Sequence, residues 1–306
     1  MSHFDLSEIS SHLASGNATV RRWYITPPVC LYHHPFTKVG GCKNLGQLIR
    51  PFADRPKSQS LVVNKPRPAM TDPNFFVETP RLFLSYLLAE NDEHCDFLVT
   101  LYNTPLFLKS IGGQPTSIVT RDAARKTLAG RFREEHARNG YGTYLVSLKP
   151  PGSGSGSGSG AAAAHADDDD VPLEGTVTVT GTASGKESKL AVFRQSTPIG
   201  TVGLLKGIKP DCYEAPDIGF VILPEYARQG YTKEAASGIL NYLEREKGLK
   251  EVFGFCNPTN EASQAVFKSL GFKRHGDRPL RVFGGEMSTV WTKPGMAEDL
   301  AVYGIE

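Results

Sequence analysis

The stretch Asp217-Ile-Gly-Phe-Val-Ile-Leu-Pro-Glu-Tyr-Ala-Arg-Gln-Gly-Tyr-Thr-Lys-Glu-Ala235 carries the clearest chemistry in the chain. An apolar strand runs into a short turn containing a glycine, and a long helix follows. The first turn of a helix has free N–H groups and a partial positive charge, so a turn that lets a ligand approach the backbone there can hold a pyrophosphate. Gly230 is the residue that permits that approach. The stretch lacks the Gly-x-x-x-x-Gly-Lys-Ser/Thr of a nucleotidase loop and the Gly-x-Gly-x-x-Gly of a dinucleotide fold, which argues against ATP hydrolysis and hydride transfer. Taken alone it also fits an ordinary strand-turn-helix with a helpful glycine. A second set, Cys30, His33, His34 and Cys42, lacks the paired short spacings of structural zinc, and no metal is expected there.

The elements that must position this turn fall into two pieces, residues 77–150 and 190–291. The pattern predicts strands at Val77–Ser85, Tyr141–Lys149, Pro198–Lys206, Asp217–Leu223, Glu251–Cys256 and Arg281–Thr292. It predicts helices at Ala89–Tyr102, Arg121–Asn139, Thr232–Lys247 and Asn260–Leu270, the second capped by Thr120 and the last closed by Gly271. The order β-α-α-β-β-β-α-β-α-β is that of a single α/β domain with a mixed sheet. Residues 1–76 are rich in Pro and Gly, hold no sustained period, and are expected to be a flexible basic head. From 150 to 189 run Gly-Ser alternation, an Ala tract and Asp167–Asp170, a low-complexity insertion that cannot bury apolar surface. Thr176–Thr180 with Leu190–Arg194 would add a short strand pair. Residues 296–306 form a tail.

Several motifs follow one another in an order that resembles the GNAT acetyltransferases, in the branch of the ribosomal-protein-alanine N-acetyltransferases. They are Glu78-Thr-Pro-Arg-Leu-Phe-Leu84, Ala123-Ala-Arg125, Gly140-Tyr-Gly-Thr-Tyr144, Pro198-Ile-Gly200, Asp217-Ile-Gly-Phe220, Gln229-Gly-Tyr231, Asn257-Pro-Thr-Asn-Glu-Ala-Ser263 and Lys268-Ser-Leu-Gly-Phe272. The resemblance implies a mixed, mostly antiparallel central sheet with a splayed strand pair and flanking helices. It implies acetyl-CoA as co-substrate, its pantetheine arm pairing with the backbone of Val221, Ile222 and Leu223. The pyrophosphate would rest on the amides of Arg228, Gln229, Gly230, Tyr231 and Thr232, with Asn260 and Ser263 lining the cofactor. The family's turn reads Gln/Arg-x-x-Gly-x-Gly/Ala, whereas this chain has Ala227 at the first position and a bulkier Thr232 at the last.

Acetyl transfer to an amine needs a deprotonated nucleophile, a polarised thioester carbonyl and a proton for the leaving thiolate. An N–H of Ile222 or Leu223 is the candidate for the carbonyl, and Asp217 or Glu214 for the base. Many relatives place a tyrosine on the last helix as the acid, where this chain has Phe267. Cys256, beside the expected thioester, has no assignable histidine to activate it, and covalent catalysis is not expected. The acceptor is a primary amine, either a peptide α-amine or a small molecule. A non-catalytic acyl-CoA-binding or sensing module is the alternative, and a protein-interaction module built on the head a third reading.

Charge fits this outline. The formal net charge is +2, with nine Lys/Arg against three Asp/Glu in residues 1–70, so the body is mildly acidic and nucleic acid is not expected as a partner. The basic head also resembles an organelle transit segment, but Asp5 and Glu8 sit where such segments avoid acids. Five scattered cysteines point to reduced thiols, and no run of about 18 apolar residues spans a bilayer. The expectation is a cytoplasmic monomer or homodimer.

Overall fold

The computed structural model describes residues 72–153 and 183–306. The head up to residue 71, the Cys30–Cys42 set and the expected strand Thr176–Thr180 lie outside the described residues. Eight strands form one sheet in the order β1-β2-β3-β4-β5-β6-β8-β7. They are β1 (Phe76–Glu78), β2 (Leu82–Tyr86), β3 (Thr143–Leu148), β4 (Thr197–Leu205), β5 (Asp217–Ile222), β6 (Phe253–Cys256), β7 (Lys273–Leu280) and β8 (Glu286–Thr292). Every neighbouring pair is antiparallel except β5 and β6, which run parallel.

Alternation along the strands divides the core in two. Tyr144 and Val146 of β3 join Ala235, Ile239, Leu243 and Phe267 on one face. Leu145 joins Leu98, Leu101, Leu128 and Phe132 on the other. The first face is therefore covered by α6 (Tyr231–Lys247) and α7 (Glu261–Ser269). The second is covered by α1 (Asp92–Tyr102), α2 (Pro105–Ser110), α3 (Arg121–Thr127) and α4 (Arg133–Asn139).

The local chemistry accounts for most of these elements. Asn91, Thr104, Thr120 and Asn260 each cap a helix by accepting an amide hydrogen bond in its first turn. Gly140 and Gly248, both left-handed, close α4 and α6. The expected helix Arg121–Asn139 is interrupted by a π-helical turn, Leu128–Phe132.

Four expectations are corrected. Leu190–Arg194 is not a strand but the end of α5 (Ala183–Arg194), whose Phe193 ring packs on Phe76 and Phe83. The expected closing strand Arg281–Thr292 is shorter: Arg281–Phe283 is a 3-10 turn, Gly284 and Gly285 reverse the chain, and only β8 remains. The unexpected β7 pairs with it at the sheet edge. The domain also extends beyond both expected limits. Phe75 is buried and stacks on Tyr86, while residues 296–306 bring Leu300, Tyr303 and Ile305 into the core.

Candidate functional site

The parallel pair β5–β6 is where the sheet opens. Its ladder consists of Asp217↔Phe253 and Ile218↔Gly254 and goes no further, although both strands continue. Beyond Ile218 the two strands part. On the other side β5 stays paired with β4 as far as Gly200↔Ile222, so β5 keeps its place while β6 leaves it.

The direction of each β5 amide follows from parity, since backbone groups alternate between the two neighbours. Leu223 N–H donates to Ile199 O on the β4 side (2.9 Å), and Pro216 O accepts from Phe253 N–H on the β6 side (2.8 Å). Odd residues therefore address β4 and even residues address β6. Phe220 and Ile222 turn their peptide groups into the opening, and Val221 does not. Leu223 has its N–H on Ile199 and its carbonyl accepting from Tyr226 N–H (3.0 Å). The expectation that Leu223 N–H polarises a thioester is thereby corrected: that hydrogen is already committed. Of the two expected amides only Ile222 remains, and Phe220, which sequence reasoning did not name, joins it.

At the mouth of the opening the chain turns through Pro224–Tyr226 into α6. Arg228 has φ +60° and is the non-glycine residue with a left-handed backbone among those described. Gly230 caps α6 at φ +77° with no side chain hydrogen-bonded to the helix end. Among the described residues no protein acceptor takes the amides of Arg228, Gln229, Gly230, Tyr231 or Thr232. That is a row of backbone donors at the positive end of a helix of 17 residues, a ready anion seat. Thr232 and Tyr231 are half-buried.

Across the opening, β6 ends at Cys256 and α7 begins. Asn260 Oδ1 accepts from Ser263 N–H (3.1 Å), which explains the Asn-x-x-Ser spacing as a helix cap. The Asn260 amide nitrogen and the Ser263 hydroxyl stay available beside the opening. Phe267 is 1% exposed, its ring seated on Gly254 and 5.5 Å from that of Phe220. A side chain on Gly254 would lie 2.4 Å from the Phe267 ring, so the glycine is what admits it. Phe267 has no proton to give. Cys256 is 2% exposed, and burial pushes its thiol up to about 11, so it is not a thiolate near neutral pH.

The two candidate bases are placed differently. Asp217 is buried at the closed end of the parted pair, one residue before the ladder's last rung. Glu214 is half-exposed on the β4–β5 loop with its carboxylate on Lys209 Nζ (2.6 Å), and that hydrogen bond holds it below the usual carboxylate range. It lines a cleft of about 410 Å³ with Tyr141, Lys206, Gly248, Lys250 and Glu251, at the far end of α6 from the turn. Burial, aided by the Asp217 charge, pushes the neighbouring Tyr141 phenol up to about 12.

Two side chains that sequence reasoning left out of the site stand at the turn. Arg81, at the bend between β1 and β2, donates Nε to Glu234 Oε2 (2.6 Å) and Nη1 to Gln229 O (3.0 Å). Its guanidinium lies 4.5 Å over the Tyr231 ring. Nothing local marks either residue, because each acts through a partner about 150 positions away in the chain. Among the described residues there is no cluster of three metal-ligating side chains, and no helix is long and apolar enough to cross a membrane.

Residues 173–273 match the family model described as the acetyltransferase (GNAT) domain. Curated relatives include the uncharacterized N-acetyltransferase YnaD of Bacillus subtilis, 37% identical over 78 residues, 26% of this chain and 44% of that protein. Another is the FsC-acetyl coenzyme A-N(2)-transacetylase of Aspergillus fumigatus, 32% identical over 97 residues, 29% of this chain and 40% of that protein. The chain thus spans less than half the length of these relatives. Among solved structures, a GNAT-family acetyltransferase of Bacillus anthracis is 17% identical with a TM-score of 0.45, over 71% of this chain and 97% of that one. The ribosomal-protein-S5-alanine acetyltransferase of Vibrio fischeri is 14% identical with a TM-score of 0.45, over 74% and 98%.

Proposed function

We propose that this chain, which carries a GNAT acetyltransferase domain, is an acetyl-CoA-dependent N-acetyltransferase that moves an acetyl group to a primary amine by direct attack. The observation that carries this reading is the parting of β5 from β6 after Ile218, beside a turn whose amides have no protein acceptor. A thioester arm fits between the strands, with peptide groups of Phe220 and Ile222 on its flank. The diphosphate fits the amides of Arg228 to Thr232, and Asn260 and Ser263 meet the arm from α7. Acetyl-CoA supplies an activated acyl carbonyl with a thiolate as leaving group.

The protein's own part is to orient, to exclude water and to move protons. Inward amides of β5 are fixed donors for the carbonyl oxygen where negative charge develops. Asp217 is the proposed base, taking the proton of the acceptor ammonium directly or through one water, since an alkylamine is protonated near neutral pH. Glu214 is the lesser candidate, because a carboxylate already paired with Lys209 is a weaker proton acceptor. With Phe267 in the last helix, the departing thiolate takes its proton from Ser263, Tyr231 or solvent. Peptide α-amines and small-molecule amines stand side by side as acceptors.

Calorimetric titration with acetyl-CoA, followed by a thiol-release assay over a panel of peptide N-termini and polyamines, tests the reading. Binding followed by acceptor-dependent thiol release supports it. No binding by the full chain removes it. The alternative of an acyl-CoA-binding module rests on Phe267, and binding without release for any acceptor would favour it.

A further inference from the structure

Glu234 lies in the first turn of α6, pointing toward the β1–β2 bend, and its side chain is 9% exposed. Oε1 accepts from Thr79 Oγ1 (2.6 Å) and from Arg81 N–H (2.7 Å), and Oε2 accepts from Arg81 Nε (2.6 Å). The helix can come this close because residue 238 is glycine: a side chain there would lie 2.7 Å from the Thr79 methyl. A bend and a helix end are thereby locked together, with one guanidinium as the bolt.

That guanidinium is only partly used. Of its five N–H groups, Nε is spent on Glu234 and one of Nη1 on Gln229 O, which leaves one on Nη1 and two on Nη2. Nη2 lies 3.3 Å from the point where a side chain at Gly230 would begin, over the same turn whose amides have no acceptor. Stacking on Tyr231 fixes the plane of the fork, and the Arg81 side chain as a whole remains 48% exposed. A planar fork held by a buried carboxylate, with its spare donors turned toward backbone amides, is built for a phosphate.

We propose that Arg81 is the side-chain clamp on the diphosphate of bound acyl-CoA, held and charge-balanced by Glu234. This rests on the reading of the site given above and adds a residue to it from the opposite end of the domain. The charge balance has a consequence that simple contact loss lacks. Without Arg81 the buried Glu234 carboxylate faces an incoming dianion uncompensated, and like charges repel strongly where water is sparse.

The test compares the full-length wild type with Arg81→Ala, Arg81→Lys, Glu234→Gln and Arg81→Ala/Glu234→Gln, each checked by thermal unfolding. Two probes are titrated: acetyl-CoA, and acetyl-pantetheine, which has the thioester arm but no phosphate. Charge-assisted hydrogen bonds of this kind correspond to about 10- to 100-fold in affinity, so Arg81→Ala weakens acetyl-CoA by that factor. Acetyl-pantetheine changes by less than about twofold, because neither Arg81 nor Glu234 faces the arm. Arg81→Lys keeps the charge without the fork and falls between. Adding Glu234→Gln to Arg81→Ala regains part of the acetyl-CoA affinity. Equal losses for both probes, no loss for acetyl-CoA, or a double variant no better than Arg81→Ala would overturn the clamp. A wild type that binds neither probe overturns the site itself, and the clamp with it.

Discussion

The two ends of α6 are built from the same material and finished in opposite ways. Both are bounded by a left-handed glycine, Gly230 at the start and Gly248 at the end. At the end, Gly248 N–H donates to Glu244 O (2.9 Å) and Leu249 N–H to Leu243 O (3.3 Å), so the carbonyls of Leu243 and Glu244 are satisfied within the chain. Arg245 and Lys247 in the last turn complement the dipole. At the start, no side chain among the described residues caps the amides, and Gly230 at φ +77° leaves no room for the extended conformation that a capping Ser or Asp adopts. A cleft of about 410 Å³ lies at the finished end, about 25 Å away along the helix axis. The difference between the two ends is unspent hydrogen-bonding capacity, which marks the start of α6 as the proposed ligand seat.

The comparison breaks first at Asp217. Proton transfer by a positioned base contributes about 10²- to 10⁴-fold, so Asp217→Asn lowers kcat with the best acceptor by at least about 100-fold while acetyl-CoA still binds. Steady-state rates alongside calorimetry check this, and a fall of under tenfold would move the base elsewhere. Next comes Gly230→Val. A β-branched residue at φ +77° costs roughly 1–2 kcal/mol, and its side chain would begin 3.3 Å from Arg81 Nη2. The expected result is a loss of acetyl-CoA affinity of about tenfold or more with a modest fall in Tm. Gly248→Ala at the other end shares the backbone strain but meets nothing within 4 Å, and should leave acetyl-CoA affinity within about twofold.

How far these features were legible in the sequence depends on how local their causes are. The β5–turn–α6 unit, the Thr120 cap and the left-handed Gly271 that follows α7 are written within a few residues of where they act, and they fall where the pattern predicts them. β7 reads Lys-Arg-His-Gly-Asp-Arg-Pro-Leu and escapes because an edge strand solvated on one side shows no apolar alternation. Leu190–Arg194 looks like a strand because its apolar residues are adjacent. Only its docking on Phe76 and Phe83 of the sheet makes it the last turn of a helix. Which β5 amides face the opening is a matter of register, and one residue of slip would exchange Val221 for Ile222. Arg81 stands inside the Glu78–Leu84 motif, yet its placement is set by Gln229 and Glu234, about 150 positions further along the chain.

Titration sharpens the contrast further. Burial lowers His136, whose ring Nε2 donates to Thr143 O (2.9 Å), to about 4, and it does the same to His94. A histidine depressed on folding stabilises the protein above its unfolded value near 6.5, and that contribution is lost as pH falls toward 4. At pH 5 each has forfeited about 2 kcal/mol. Stability from urea denaturation should therefore be lower at pH 5 than at pH 7, the two histidines contributing a loss on the order of 4 kcal/mol against a partial gain from Glu135, whose carboxyl pKa is raised by burial, with both imidazole resonances unshifted above pH 5.5. The turn at the start of α6 contains no histidine, so acetyl-CoA affinity of the still-folded protein should be level over that range.

The smallest expected effect concerns Glu214. Its carboxylate is bound to Lys209 on an exposed loop and it lines the cleft at the finished end of α6. An exposed pair of this kind is worth under about 1 kcal/mol, so Glu214→Gln should leave Tm nearly unchanged. If the base is Asp217, the same variant lowers kcat by less than about threefold, against the 100-fold or more expected of Asp217→Asn. A loss at Glu214 comparable to that at Asp217 would mean that the acceptor enters through the cleft at the helix's finished end. The two ends of α6 would then serve the two substrates, one for each half of the reaction, and the distinction between a working end and a merely structural one would fall.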